Sequence, residues 1–192
     1  MVSTGEVEPQ RDDRVRGLML VGLMAAVMWA VEIVDVVAGD LDSAGIRPRN
    51  VDGLVGIVAA PFLHGGFGHL FGNTIPFLVL GGVIALSGLA RVAAVTVIVA
   101  LVGGLGVWLV APASTLHIGA SGIVFGFITY LIARGVWSRR ALHLAVGVIV
   151  LFVYGGTLAF GFVPTPGVSW QGHAFGALGG ILAAWLLDRR RH

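Results

Sequence analysis

Two short stretches of this chain hold side chains that could carry out acyl transfer. Gly119-Ala120-Ser121-Gly122 opens one long apolar run, and Gly172-His173 lies at the start of another. A serine hydroxyl becomes a useful nucleophile when a neighbouring base takes its proton, and imidazole is the commonest such base. Gly119 and Gly122 leave the backbone open around Ser121. A serine at a helix N-terminus also sits beside free backbone N–H groups, which can receive a developing negative oxygen. The pattern is not the Gly-x-Ser-x-Gly elbow of soluble hydrolases, because Ile123 stands where the last glycine would be.

A third cluster is His64-Gly-Gly-Phe-Gly-His69-Leu-Phe-Gly-Asn73. His69 and Asn73 are four apart and share a helix face, and both imidazole and amide can donate to an oxyanion. His64 precedes that helix across a glycine-rich link and reads as a brace for the loop. A zinc centre fails on ligand inventory: there is no cysteine and no His-Glu-x-x-His motif, so no metal and no cofactor is expected. His117, His143 and His192 read as structural or solvated. Glu32 and Asp35, one turn apart, are expected to pair with Arg47 or Arg49 or to reach the membrane interface.

Ser121 and His173 each have a plainer reading. A lone serine in an apolar helix usually bonds to its own backbone, and a lone histidine can satisfy an interhelical hydrogen bond. The glycines around them favour a closer approach. Gly172, Gly176 and Gly180 recur every four residues, and Gly122 and Gly126 give the other helix a matching stripe. Such small-residue faces let two backbones come together. If the stripes meet, the hydroxyl and the imidazole fall within hydrogen-bond reach.

The elements that must position these residues are membrane helices. Hydrophobic residues make up 57% of the 192 positions, charged residues only 11%, and the mean hydropathy is +0.94. A soluble domain would carry about twice that charge. Six apolar segments approach the ~20 residues a spanning helix needs: 18–37, 70–86, 92–110, 121–136, 141–160 and 170–187. The fold class expected is an all-α membrane bundle of six helices. Residues 1–16 form a polar, disordered tail, 17–188 the membrane domain and 189–192 a basic C-terminal tail. All 12 basic residues are arginines. With six spans, ten of them fall on one side, leaving Arg47 and Arg49 on the other. The positive-inside rule then places both termini in the cytoplasm. Arginine at membrane edges argues for topology and against nucleic-acid binding. His69, Asn73, Ser121 and His173 all begin helices that run inward, so they share one depth near the outer face.

In this order and spacing the residues resemble the rhomboid family of intramembrane serine proteases. The resemblance rests on His64, His69 and Asn73, then Gly119-Ala120-Ser121-Gly122, then His173 with Gly176 and Gly180, and it covers roughly residues 51–187. It implies a Ser121–His173 dyad without an acid, and oxyanion roles for His69, Asn73 and the Ser121 backbone. It also implies a structural role for His64, and transmembrane protein substrates cut near their outer ends. The implied location is a bacterial plasma membrane, with lipid as the surroundings and the site opening toward the outer face. Two departures stand out. Phe125 occupies the place where the family often stacks a tyrosine on the histidine, and the loop between the first two spans lacks a Trp-Arg pair. The competing readings are a catalytically silent relative that binds membrane clients and a small transporter. No inverted repeat or paired broken helix supports the latter.

Overall fold

The structure, a computed structural model, describes residues 7–189. Six long helices form the bundle: α1 (Val7–Ala38), α3 (Phe67–Ala85), α4 (Leu89–Val110), α5 (Ser121–Ser138), α6 (Ala141–Gly161) and α7 (Trp170–Asp188). A short helix α2 (Gly56–Ala59) and three 3₁₀ turns fill the connection between α1 and α3. No strand occurs among the described residues; one isolated bridge joins Ile46 to His117. The expected all-helical membrane bundle is thus the observed fold.

Five of the long helices are long and apolar enough to cross a membrane. The sixth, α7, has 19 residues but carries Gln171, His173 and four glycines, so it is less apolar than the expectation of six equivalent spans. Its surroundings explain this. α7 lies between α4 and α5, its main packing partners, so small residues serve its fit better than apolar bulk. The glycine stripes meet. A Cβ on Gly176 would strike the Gly122 carbonyl oxygen, and one on Gly180 would strike that of Gly126. Thr129 Oγ1 donates across the same seam to the Ala177 carbonyl at 2.8 Å. Without a hydrophobic force between helices in lipid, such close backbone packing and hydrogen bonding is what holds them together.

Two expectations are corrected. Residues 1–6, Arg190, Arg191 and His192 lie outside the described residues, but from Val7 the expected disordered tail is helical and continuous with the first span. The extension has a partner: Asp13 Oδ1 accepts the Leu89 N–H at 3.3 Å at the start of α4. Of the alternatives for Glu32 and Asp35, the ion pair with Arg47 or Arg49 does not form among the described residues. Asp35 Oδ1 instead accepts the Leu41 N–H at 2.6 Å, closing the turn after α1. Arg49 donates to the Leu109 carbonyl at 3.1 Å, drawn there by a loop that Trp108 Nε1 also holds through Asn50. Glu32 is only 2% exposed. The ion pairs among the described residues lie at the opposite end of the bundle, where Asp188 meets Arg91 and Arg134.

Candidate active site

α3, α5 and α7 present their N-terminal ends to one cleft of about 920 Å³, whose lining includes His69, Asn73, Ser121, Phe125 and His173. Ser121 is the first residue of α5. Ahead of it, Gly119 holds φ +106°, a conformation that side-chain-bearing residues rarely adopt. The imidazole of His69 covers Gly119 so closely that an added Cβ would lie 2.7 Å from its Cε1. The Gly119 N–H donates to the Ala60 carbonyl at 2.8 Å, which anchors the turn to the α1–α3 connection. No hydrogen bond occupies the Ser121 N–H among the described residues.

His173 meets Ser121 directly. Its Nε2 is 3.0 Å from Ser121 Oγ, and its Nδ1 is 2.7 Å from the Gly161 carbonyl oxygen at the end of α6. A carbonyl only accepts, so Nδ1 carries the proton and Nε2 presents its lone pair to the hydroxyl. Phe125 fixes the ring from the side: the two rings are parallel within 1°, with centroids 4.1 Å apart. Gly161 has to be glycine here, since a Cβ would enter the Phe125 ring. Phe125 itself is 3% exposed. The imidazole is therefore held by a backbone carbonyl and an aromatic face, with no carboxylate.

His69 and Asn73 lie on α3 facing the same cleft. Asn73 Nδ2 donates one N–H back to the His69 carbonyl at 3.0 Å and keeps a second N–H. His64 is 1% exposed, and its Nε2 accepts the Ala120 N–H at a long 3.4 Å. Its Nδ1 is buried without a partner among the described residues. Burial, reinforced by the neighbouring His69, pushes the His64 pKa down to about 4, so this side chain is neutral at neutral pH. A neutral acceptor that fixes the peptide just ahead of Ser121 fits the bracing role read from the sequence.

His117 does more than its solvated alternative suggested. Its Nδ1 is 2.6 Å from Ser169 Oγ, and its Nε2 is 2.7 Å from Thr115 Oγ1. Ser169 caps α7 by accepting the Gly172 N–H at 3.1 Å. His117 thereby ties the loop before Ser121 to the helix that carries His173, and burial pushes its pKa down. Ser169 was legible as a serine just before an apolar helix, the usual N-cap signal. Gly161 was not, because a backbone acceptor leaves no trace in residue type.

The rhomboid domain model matches residues 52–190. An uncharacterized protein of Mycobacterium tuberculosis is 45% identical over 173 residues, spanning 85% of this chain and 72% of that protein. An uncharacterized protein of Mycobacterium leprae is 43% identical over 184 residues, spanning 91% of this chain and 72% of its own length. More distantly, a Bacillus subtilis protein provisionally described as a rhomboid protease is 23% identical over 136 residues, 70% of this chain and 68% of that one. This is a multi-pass integral membrane protein, and the chain belongs to the rhomboid family.

Proposed function

We propose that the protein is an intramembrane serine endopeptidase that cuts transmembrane protein substrates near their outer ends. The observation that carries this reading is the 3.0 Å contact between Ser121 Oγ and His173 Nε2, with the far nitrogen held by the Gly161 carbonyl. His173 takes the hydroxyl proton as Ser121 attacks the peptide carbonyl, and then gives it to the departing amine. Water entering from the cleft attacks the acyl-serine while His173 accepts its proton, releasing the acid and restoring the hydroxyl. The free Ser121 N–H, the His69 ring and the second Asn73 N–H steady the oxygen that becomes negative in both steps. Without an acid, the imidazolium formed in passing leans on the Gly161 carbonyl and on the face of Phe125.

The arginine distribution supports a plasma-membrane orientation with both chain ends cytoplasmic and the cleft on the outer side. The test is proteomic. Membrane-protein fragments released by cells carrying the wild type are compared with those from cells carrying Ser121→Ala. Fragments ending near the outer boundary of a span, absent with Ser121→Ala, support peptidase activity. Identical fragment sets, with both proteins folded and expressed, support a client-binding relative without activity.

A further inference from the structure

A second cavity, of about 630 Å³, opens at the other end of the bundle. It lies roughly 20 Å along α5 from Ser121, at the ~1.5 Å rise per residue of a helix. It exists because α6 packs on α5 and makes no comparable contact with α1 or α3. Arg14, Arg91, Arg134 and Arg140 line it, with Asp13 the one carboxylate in its wall among the described residues. Asp188, outside the lining, takes one bond from Arg91 Nη1 and one from Arg134 Nε, and Ser87 Oγ accepts from Arg134 Nη1. Those contacts orient two guanidinium groups and leave them donors to spare, since each carries five N–H bonds. Arg14 and Arg140 have no ion pair among the described residues. Among the described residues, four arginines thus face two carboxylates, even counting Asp188.

Apart from Gln10, Ser87 and His143, the rest of the described lining is apolar side chains and a glycine. Leu86 is 54% exposed and Leu142 is 72% exposed, at the edge where arginines mark the membrane boundary. A cavity with guanidinium groups inside and leucines at its mouth matches a phosphate diester attached to acyl chains. Arginine binds phosphate oxygens in a two-pronged geometry, and basic pockets between spanning helices suit lipid head groups. We propose that this cavity binds the phosphate group of an anionic phospholipid. Lipid seated there would fill the space between α1 and α6 and neutralise the excess positive charge. The site is independent of the proteolytic chemistry at the other end.

The experiment uses the full chain in nanodiscs of phosphatidylcholine, with or without phosphatidylglycerol, read by native mass spectrometry and by melting temperature. Wild type is expected to retain phosphatidylglycerol in preference to phosphatidylcholine and to melt higher with it. Arg14→Gln with Arg140→Gln should weaken retention roughly 30-fold, taking about fivefold for each cation near the surface. Both side chains are exposed, so the pair is expected to fold, and the melting temperature in pure phosphatidylcholine verifies this. Arg47→Gln with Arg49→Gln, at the opposite end, should retain the lipid as wild type does. Inorganic phosphate added to pure phosphatidylcholine discs separates the sources. A rise in melting temperature that the Arg14/Arg140 variant loses assigns the site to soluble phosphate; a rise with phosphatidylglycerol alone assigns it to lipid. Equal retention of the two lipids by wild type, or undiminished retention by the Arg14/Arg140 variant, overturns the proposal.

Discussion

Gly176→Ala is the most informative single perturbation of the seam that brings the dyad together. The added methyl would land on the Gly122 carbonyl oxygen, which is backbone and cannot swing aside. Gly122 follows Ser121, and Gly176 lies three residues after His173, so pushing α7 off α5 acts directly on the 3.0 Å contact between Oγ and Nε2. A separation of about 1 Å breaks that hydrogen bond, and misplacement on that scale costs on the order of 10²-fold in rate. The overpacking itself destabilises by about 1–3 kcal/mol. Gly156→Ala is the control, because its Cβ meets nothing within 4 Å. That substitution should leave activity unchanged and stabilise α6 by up to about 1 kcal/mol. The assay is turnover of a transmembrane reporter in nanodiscs, with melting temperature measured in parallel. A Gly176→Ala protein that melts lower yet cleaves at the wild-type rate would refute the claim that this glycine contact sets the dyad distance.

Three further outcomes are expected. Asn73→Ala should lower turnover ~10²–10³-fold while leaving KM nearly unchanged, since it removes a donor used only as charge develops; a fully active variant would remove Asn73 from the oxyanion role. His64 titrates near ~6.5 when unfolded and about 4 when folded, so between those values the unfolded state binds the extra proton. Stability should therefore fall as pH drops from about 6.5 toward 4, by up to about 3 kcal/mol from His64, with His117 adding in the same direction, and melting temperature reads the loss. His64→Gln should flatten that dependence, and unchanged pH sensitivity in it would discount the buried-neutral assignment. Reporter fusions at Ser138 should read cytoplasmic and one near Gly45 external; the reverse would overturn the orientation drawn from the arginines.

Much of the candidate site was legible in residue types. Ser121, His173, His69 and Asn73 are expensive in lipid, so each is conspicuous against an apolar background. The glycine stripes foretold the α5–α7 seam because four-residue spacing keeps small residues on one helix face. What escaped is what residue type does not encode. The Gly161 carbonyl that orients His173 is a backbone group brought in from another helix. Asp13 reads as tail, yet it meets the α4 N-terminus across 76 residues of sequence. Hydropathy treated α7 like the other spans, although its burial between α4 and α5 releases it from the need to be apolar throughout. Glu32 is a case of the opposite kind. Its position near the end of a span suggested an ion pair or the interface, and the structure buries it with Oε2 unpartnered among the described residues.

The central claim is that Ser121 is a nucleophile activated by His173. A fluorophosphonate probe applied to the folded protein in nanodiscs tests it without knowledge of any substrate. Mass spectrometry of the digested adduct should place a single phosphonyl group on Ser121, and labelling should be lost in Ser121→Ala and sharply slowed in His173→Ala. A folded wild-type protein that takes up no probe, or one labelled at another residue with Ser121→Ala unaffected, would contradict the account.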